Sequence, residues 1–211
     1  AMLIILLFPE SQALLPMSAL FFGLLAAAMV FFIGFAGRGG GNITRIILAG
    51  IAIAALFSAA TAAIMAAYPD RVPNGIFFLV GGLTSSGWDN LQQVWPYFAV
   101  GFVLAAFMIR PLDRLMLGDD VAASLGSRPR LIRLLAALAA AILAAAAASI
   151  AGLLAFLGLV VPHLVRLMGG ARNQTYVMPV SALTGAALLT AADTLARTVR
   201  APIEMPVGPF L

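Results

Sequence analysis

The chain has 211 residues, 63% of them hydrophobic and only 9% charged, with a formal net charge of +4 and a mean hydropathy of +1.08. A water-soluble domain of this size does not leave so little polar surface facing solvent, and the apolar runs are continuous rather than alternating, which argues against a β-barrel. The expected fold is all-α, a polytopic transmembrane helical bundle forming a single membrane domain over residues 1–211, with no separate soluble part.

With no cysteine, the chain has neither disulfides nor thiolate metal sites. All twelve basic residues are arginine. They sit beside apolar runs, so they report membrane topology rather than nucleic-acid binding.

In chain order, Met2–Phe8 is apolar but too short to cross. "AMLIILLFPE" has no basic start and no clear small-residue cleavage site, so it reads as the end of a span rather than a signal peptide. Pro9–Pro16 is a turn carrying Glu10, and Met17–Phe35 is the first full span. A glycine-rich loop, "AGRGGGNITR", follows with Arg38 and Arg45, then a second clean span, Ile46–Tyr68. Pro69–Gln93 contains "IFFLVGGL", too short to cross, which predicts a short helix near one surface. A shorter span, Val94–Ile109, begins at Trp95-Pro96, an interfacial aromatic followed by a helix-starting proline.

Arg110–Arg133 is the most charged stretch and reads as a cytoplasmic loop. Within it, Asp119 and Asp120 open "DDVAASLG" and Gly126 closes it, which predicts a short helix between two spans. That helix is either a solvated surface element or a docking element for a cytoplasmic partner. From Leu134 through Val165 no residue carries a formal charge. As one helix this stretch would be about 48 Å long, against a hydrocarbon core of ~30 Å. A reversal near Ala151–Phe156, at Gly152, is therefore expected, giving two spans of which the second is short. Met178–Leu195 is the last span, so the chain holds six spans and the end of a seventh.

The arginines agree with this alternation. With Arg110–Arg133 inside, Arg38, Arg45, Arg166 and Arg172 also fall inside, and only Arg71, Arg197 and Arg200 fall outside. Without the reversal, Arg133 and Arg166 would lie on opposite sides.

Several patterns within the spans bear on function. Gly50, Ala54, Ser58, Ala62 and Ala66 recur every four residues, with Ala55, Ala59, Ala63 and Ala67 alongside. Such a ladder lets another backbone approach closely, in packing within the chain, at a subunit interface or along a pathway. Leu134–Ile150 is similarly alanine-rich, so the ladder is not unique. Asp193 and Arg197, four apart near the end of the last span, can pair on one helix face. An ionisable residue in a span is also a functional candidate. His163, the only histidine, follows Pro162 and has no second histidine or acid cluster at metal-ligand spacing. It reads as a boundary residue. No G-x-x-x-x-G-K-[ST] motif is present, so this chain does not bind nucleotide by a P-loop.

"AFLGLVVPHLVRLMGG", "MPVSALTGAALLTAADTLART" and "APIEMPVG", in that order and spacing, closely resemble the permease family of binding-protein-dependent ABC importers for iron–siderophores, haem and cobalamin, the type II importers. The motif residues are Gly158, Leu159, Pro162, His163 and Arg166, then Ala192, Asp193, Ala196 and Arg197, then Glu204, Pro206, Val207 and Gly208. "ILAGIAIAALFSA" and "LGDDVAASLG" fit as well.

The resemblance implies a fold of ten spans per subunit in a bacterial inner membrane, working as a homodimer in membrane lipid. Two cytoplasmic ATPases would bind ATP and Mg, and a periplasmic or lipid-anchored binding protein would deliver substrate. The chain itself would be no enzyme, hold no cofactor and bind no nucleic acid. It further implies that the Gly50, Ala54, Ser58, Ala62, Ala66 face lines the translocation pathway, with "IFFLVGGL" beside its outer mouth. Gly118, Asp119, Asp120, Ala123, Leu125 and Gly126 would couple to the ATPase, and Arg197 would face acidic groups of the binding protein.

Against that pattern, the family's opening spans and last span are missing, and "PVGPFL" reads as "PVG…PFL" without its intervening segment. Asn173-Gln174-Thr175 stands where the family has Asp-His-Arg. The expected cargo is an iron chelate, although the small-residue faces do not distinguish siderophore from haem from cobalamin. The alternatives are a proton-coupled secondary transporter using Asp193 and a non-transporting membrane scaffold.

Overall fold

The computed structural model describes residues 15–35, 43–83, 87–169, 173–199 and 206–210. Among these, every regular element is helical. The order is α1 (Leu15–Phe35), α2 (Ile43–Ala67), a 3-10 turn (Pro69–Arg71), α3 (Val72–Val80), α4 (Trp88–Leu115), α5 (Asp119–Ser124), α6 (Pro129–Ala151), α7 (Ala155–Gly169), α8 (Gln174–Thr198) and a last 3-10 turn (Gly208–Phe210). Five helices, α1, α2, α4, α6 and α8, are long and apolar enough to cross a membrane. The 15-residue α7 stands where the short second span is expected, but it is shorter than the five helices that are long enough to cross. The partial span at Met2–Phe8 and the loop holding Arg38 lie outside the described residues, as do Arg172, Arg200 and Glu204.

The helix α6 shows how the sequence sets its own limits. Pro129 stands in its first turn, where a missing N–H costs no hydrogen bond. Alanine, the best helix former, fills its middle. It ends at Gly152, whose φ of +69° is open to glycine and strained for other residues. Leu153 and Leu154 then turn the chain into α7, so the expected reversal is present.

The bundle is organised around α6, which packs against both α1 and α4. Its buried residues are Ile132, Ala139, Ile142, Ala145, Ala146 and Ala151. A side chain at Gly101 of α4 would meet Leu143 at 2.8 Å, and one at Gly23 of α1 would touch Ala145 at 3.4 Å. Where lipid supplies no hydrophobic drive between helices, such close backbone approach is a main source of association energy. Among the described residues, no polar or charged residue is buried.

Two boundaries differ from expectation. The span expected at Val94–Ile109 is a 28-residue helix with Pro96 and Pro111 inside it, so Trp95-Pro96 is not its start. A proline removes one backbone bond, and in a long membrane helix packing against neighbours compensates for that loss. As a result the Arg110–Arg133 loop is shorter than drawn: Arg110–Leu115 finish α4, and Pro129–Arg133 open α6. Likewise α8 extends beyond Met178–Leu195 at both ends.

Candidate functional site

The structure gathers its ion pairs and the hydrogen bonds between segments at two ends of the bundle and leaves a small-residue face between them. At the arginine-rich end, α5 hangs between α4 and α6. Gly118 leads into it at φ +102°, a conformation that requires glycine. Asp119 and Asp120 occupy its first turn, where negative charge suits the helix dipole. At its far end the Ser127 N–H bonds the Ala122 carbonyl at 3.0 Å and the Gly126 N–H bonds the Ala123 carbonyl at 2.9 Å. With Gly126 at φ +77°, this is a Schellman cap. The glycine at each end thus has a defined conformational task.

The same short unit buries Ala122 and exposes Leu117, Val121 and Leu125, four residues apart, together with Ala123 and Asp120. It is tied to α6 by an ion pair of 2.6 Å between Arg133 and Asp119. On the other flank, α4 is tied to α8. Asp113 accepts the Gln174 backbone N–H at 2.5 Å on one carboxylate oxygen and the Thr175 hydroxyl at 3.0 Å on the other. Gln174 Nε2 also lies 3.8 Å from Met116 Sδ. The stretch that departs from the family pattern therefore has its own partner. Sequence reasoning missed Asp113, because nothing local marks a contact 61 residues away.

At the opposite end three segments meet through backbone hydrogen bonds. The Leu153 N–H bonds the Phe78 carbonyl at 3.1 Å, the Gly82 N–H bonds Ala151 at 2.9 Å, and the Val207 N–H bonds Gly81 at 3.1 Å. The short helix α3 is thereby fastened to the α6–α7 turn and to the segment Pro206–Gly208. Val207 is 1% exposed and packs in a cluster with Ala192 and Ala196 of α8. A side chain at Gly208 would collide with the Val80 carbonyl. The motif residues Ala192, Ala196, Val207 and Gly208 thus serve one joint, which half-buried Pro206 enters.

On the flank of that joint, Arg197 Nε donates to Asp193 Oδ2 at 2.8 Å. Arg197 remains 46% exposed and Asp193 18%. The pair is internally satisfied, and the guanidinium still faces outward.

Between the ends, α2 packs chiefly on α1, burying Ala49 and Ile53. Ala54, Ser58, Ala62 and Ala66 are exposed, Gly50 is half-buried, and a side chain added at Gly50 would meet nothing within 4 Å. Among the described residues, Ala54, Ser58, Ala62 and Ala66 are thus left uncovered, unlike the buried alanines of α6. On α7, Gly158 faces open space, Pro162 is half-buried, and His163 and Arg166 are exposed. Arg166 stands in the last turn, where a cation suits the helix dipole. Among the described residues, no group of three or more His, Asp or Glu could hold a metal ion. The structure does not bring His163 together with Asp193 or Arg197 in any hydrogen bond or ion pair it defines.

Comparison with known proteins places this arrangement. The FecCD transport family matches residues 1–211. The iron(3+)-hydroxamate import system permease FhuB of Bacillus subtilis is 39% identical over 184 residues, 87% of this chain and 47% of FhuB. The hemin transport system permease HmuU of Yersinia pestis is 38% identical over 171 residues, 81% of this chain and 51% of HmuU. The chain spans about half the length of these curated relatives. A solved structure described as an inward-facing metal-chelate type ABC transporter is similar with a TM-score of 0.84 and 28% identity, covering 99% of this chain and 66% of that one.

Proposed function

Because this chain belongs to the FecCD transport family, we propose that it is membrane-spanning machinery of the permease subunit of an ATP-driven importer for an iron chelate. The cargo class follows the relatives, which are named for hydroxamate and hemin transport. The chain does no bond chemistry of its own. ATP hydrolysis belongs to a separate cytoplasmic ATPase, and the membrane is the bacterial inner membrane.

The observation that carries the reading is α5. An otherwise charged end presents Leu117, Val121 and Leu125 outward on a unit clamped to its neighbours. Apolar side chains facing water beside a polar rim suit a protein partner, and the ATPase is that partner. The exposed small-residue face of α2 suits a pathway wall shared with a second permease in a homodimer. Arg197, outward at the other end, suits an acidic patch on a binding protein.

The test is uptake into proteoliposomes holding the assembled complex, with ferric hydroxamate and haem as probes. ATP-dependent accumulation of either supports the reading. Uptake that proceeds without ATP and collapses with the proton gradient overturns it.

A further inference from the structure

Asp113 occupies a place that the docking of α5 does not explain. It stands two residues before the end of α4, and α5 begins four residues after that end. Its two oxygens are used separately, one on the Gln174 N–H and one on the Thr175 hydroxyl. Both donors belong to the first turn of α8, where the Gln174 N–H precedes the helix's own hydrogen-bond ladder. The capping residue Asn173 supplies no side-chain bond there. A negative charge at a helix start adds favourable interaction with the dipole.

The first turn of α8 also has a loose joint. Pro179 lies inside the helix, and its missing N–H leaves the Thr175 carbonyl without its i+4 donor. That turn is thus joined to the rest of α8 by one bond fewer, while Asp113 holds it to α4. On the other flank of α5, Arg133 joins Asp119 to α6. The two ties connect the surroundings of α5 to two different long helices. One of them, α8, carries Asp193 and Arg197 at its other end, about 35 Å away along a helix rising 1.5 Å per residue.

We propose that Asp113 is a positioning residue of the transport cycle: its carboxylate holds the first turn of α8 to the end of α4, so that displacement of α5 is delivered to α8. This rests on the importer reading above. The link is mechanical and reciprocal, because an effect passed from one site to a second is felt equally in reverse in binding free energy. A partner engaging the Arg197 end is therefore felt at α5.

The test uses the assembled transporter in lipid vesicles, comparing variants at equal amounts of intact complex. The readout is chelate moved per ATP hydrolysed, with ferric hydroxamate and haem as probes. Asp113→Ala is expected to lower that ratio about five-fold, the lower end of site-to-site coupling, with ATP hydrolysis retained. Asp113→Asn keeps an acceptor for Gln174 and offers an amide to the Thr175 oxygen, so it is expected to restore most of the ratio. Thr175→Val removes one bond and leaves the helix and its charge intact. It is expected to lower the ratio to a lesser degree, and it carries the test if Asp113→Ala does not assemble.

A second readout is a spin-label distance between Phe107 and Tyr176 positions in the cysteine-free chain, with and without ATP and vanadate. One narrow distance is expected in the parent protein, and a broadened one in Asp113→Ala. A parent complex without ATP-driven uptake strikes the importer reading and this inference with it. A working parent alongside fully coupled Asp113→Ala and Thr175→Val strikes this inference alone.

Discussion

Val207 donates its backbone N–H to the carbonyl of Gly81 at 3.1 Å, and its side chain is sealed against Ala192 and Ala196. This one contact joins the short helix α3, the end of α8 and the C-terminal segment into a single joint. Gly152 completes it from the α6–α7 turn, where an added Cβ would lie 2.5 Å from the Phe78 carbonyl.

The joint predicts where glycine is indispensable. Gly152→Ala forces a non-glycine residue to φ +69° and against backbone that does not yield. The expected cost is about 1–3 kcal/mol, read as a lower midpoint of thermal unfolding in detergent. Gly158→Ala is the control, since an added Cβ there would meet nothing within 4 Å beyond its own helix backbone. Alanine within a helix is favoured over glycine by roughly 0.5–1 kcal/mol, so this variant should be neutral or slightly more stable. Equal losses at both positions would refute the joint.

Much of this architecture was legible from hydropathy, charge and glycine. The reversal at Gly152 followed from an uncharged stretch too long for one crossing, and the cap at Gly126 from acids opening a segment that glycine closes. The ends of α4 were not legible, because Pro96 and Pro111 carry local signals for a helix boundary that packing overrides. The role of "PVG" was not legible either. Its meaning lies in hydrogen bonds to Gly81, a residue more than a hundred positions away, and such pairings leave no periodic trace in a single sequence.

Under the proposed importer reading, the exposed face of α5 is the surface that takes the ATPase. Val121→Asp combined with Leu125→Asp places charges where apolar contact is expected, on residues the permease itself leaves exposed. Retention of the ATPase on purified permease should fall more than about ten-fold, a loss of at least ~1.4 kcal/mol, while the unfolding midpoint of the permease stays within error. Unchanged retention would remove α5 as the docking element.

The small-residue ladder predicts a separation of folding from function. Ala54→Leu and Ser58→Leu add bulk on a face of α2 that is exposed within the chain, so the permease should fold and reach the membrane normally. Uptake, or association with the second permease, should be lost. By contrast Gly101→Leu drives a side chain into Leu143, and overpacking of this kind costs about 1–3 kcal/mol. A fold lost in Ser58→Leu and kept in Gly101→Leu would invert the assignment.

The pair Asp193–Arg197 separates docking from proton coupling. It is an i,i+4 pair with Arg197 nearly half exposed, and such pairs contribute about 0–1 kcal/mol to stability. Arg197→Glu should therefore leave the permease folded and the ATPase bound. It reverses a charge facing outward, so capture of the binding protein should weaken, with Arg197→Gln intermediate. Part of the loss should disappear as salt is raised, because exposed charges beyond about 8–10 Å are screened. Asp193→Asn removes the internal counter-charge while keeping one acceptor, which loosens the hold on the guanidinium, so capture should hold or improve and uptake should stay ATP-dependent. Binding measured by surface-immobilised permease over a salt series, with uptake measured in parallel, decides the matter. Affinity indifferent to Arg197→Glu would end the docking assignment. ATP-independent uptake abolished by Asp193→Asn would instead make that carboxylate the carrier of a coupled proton.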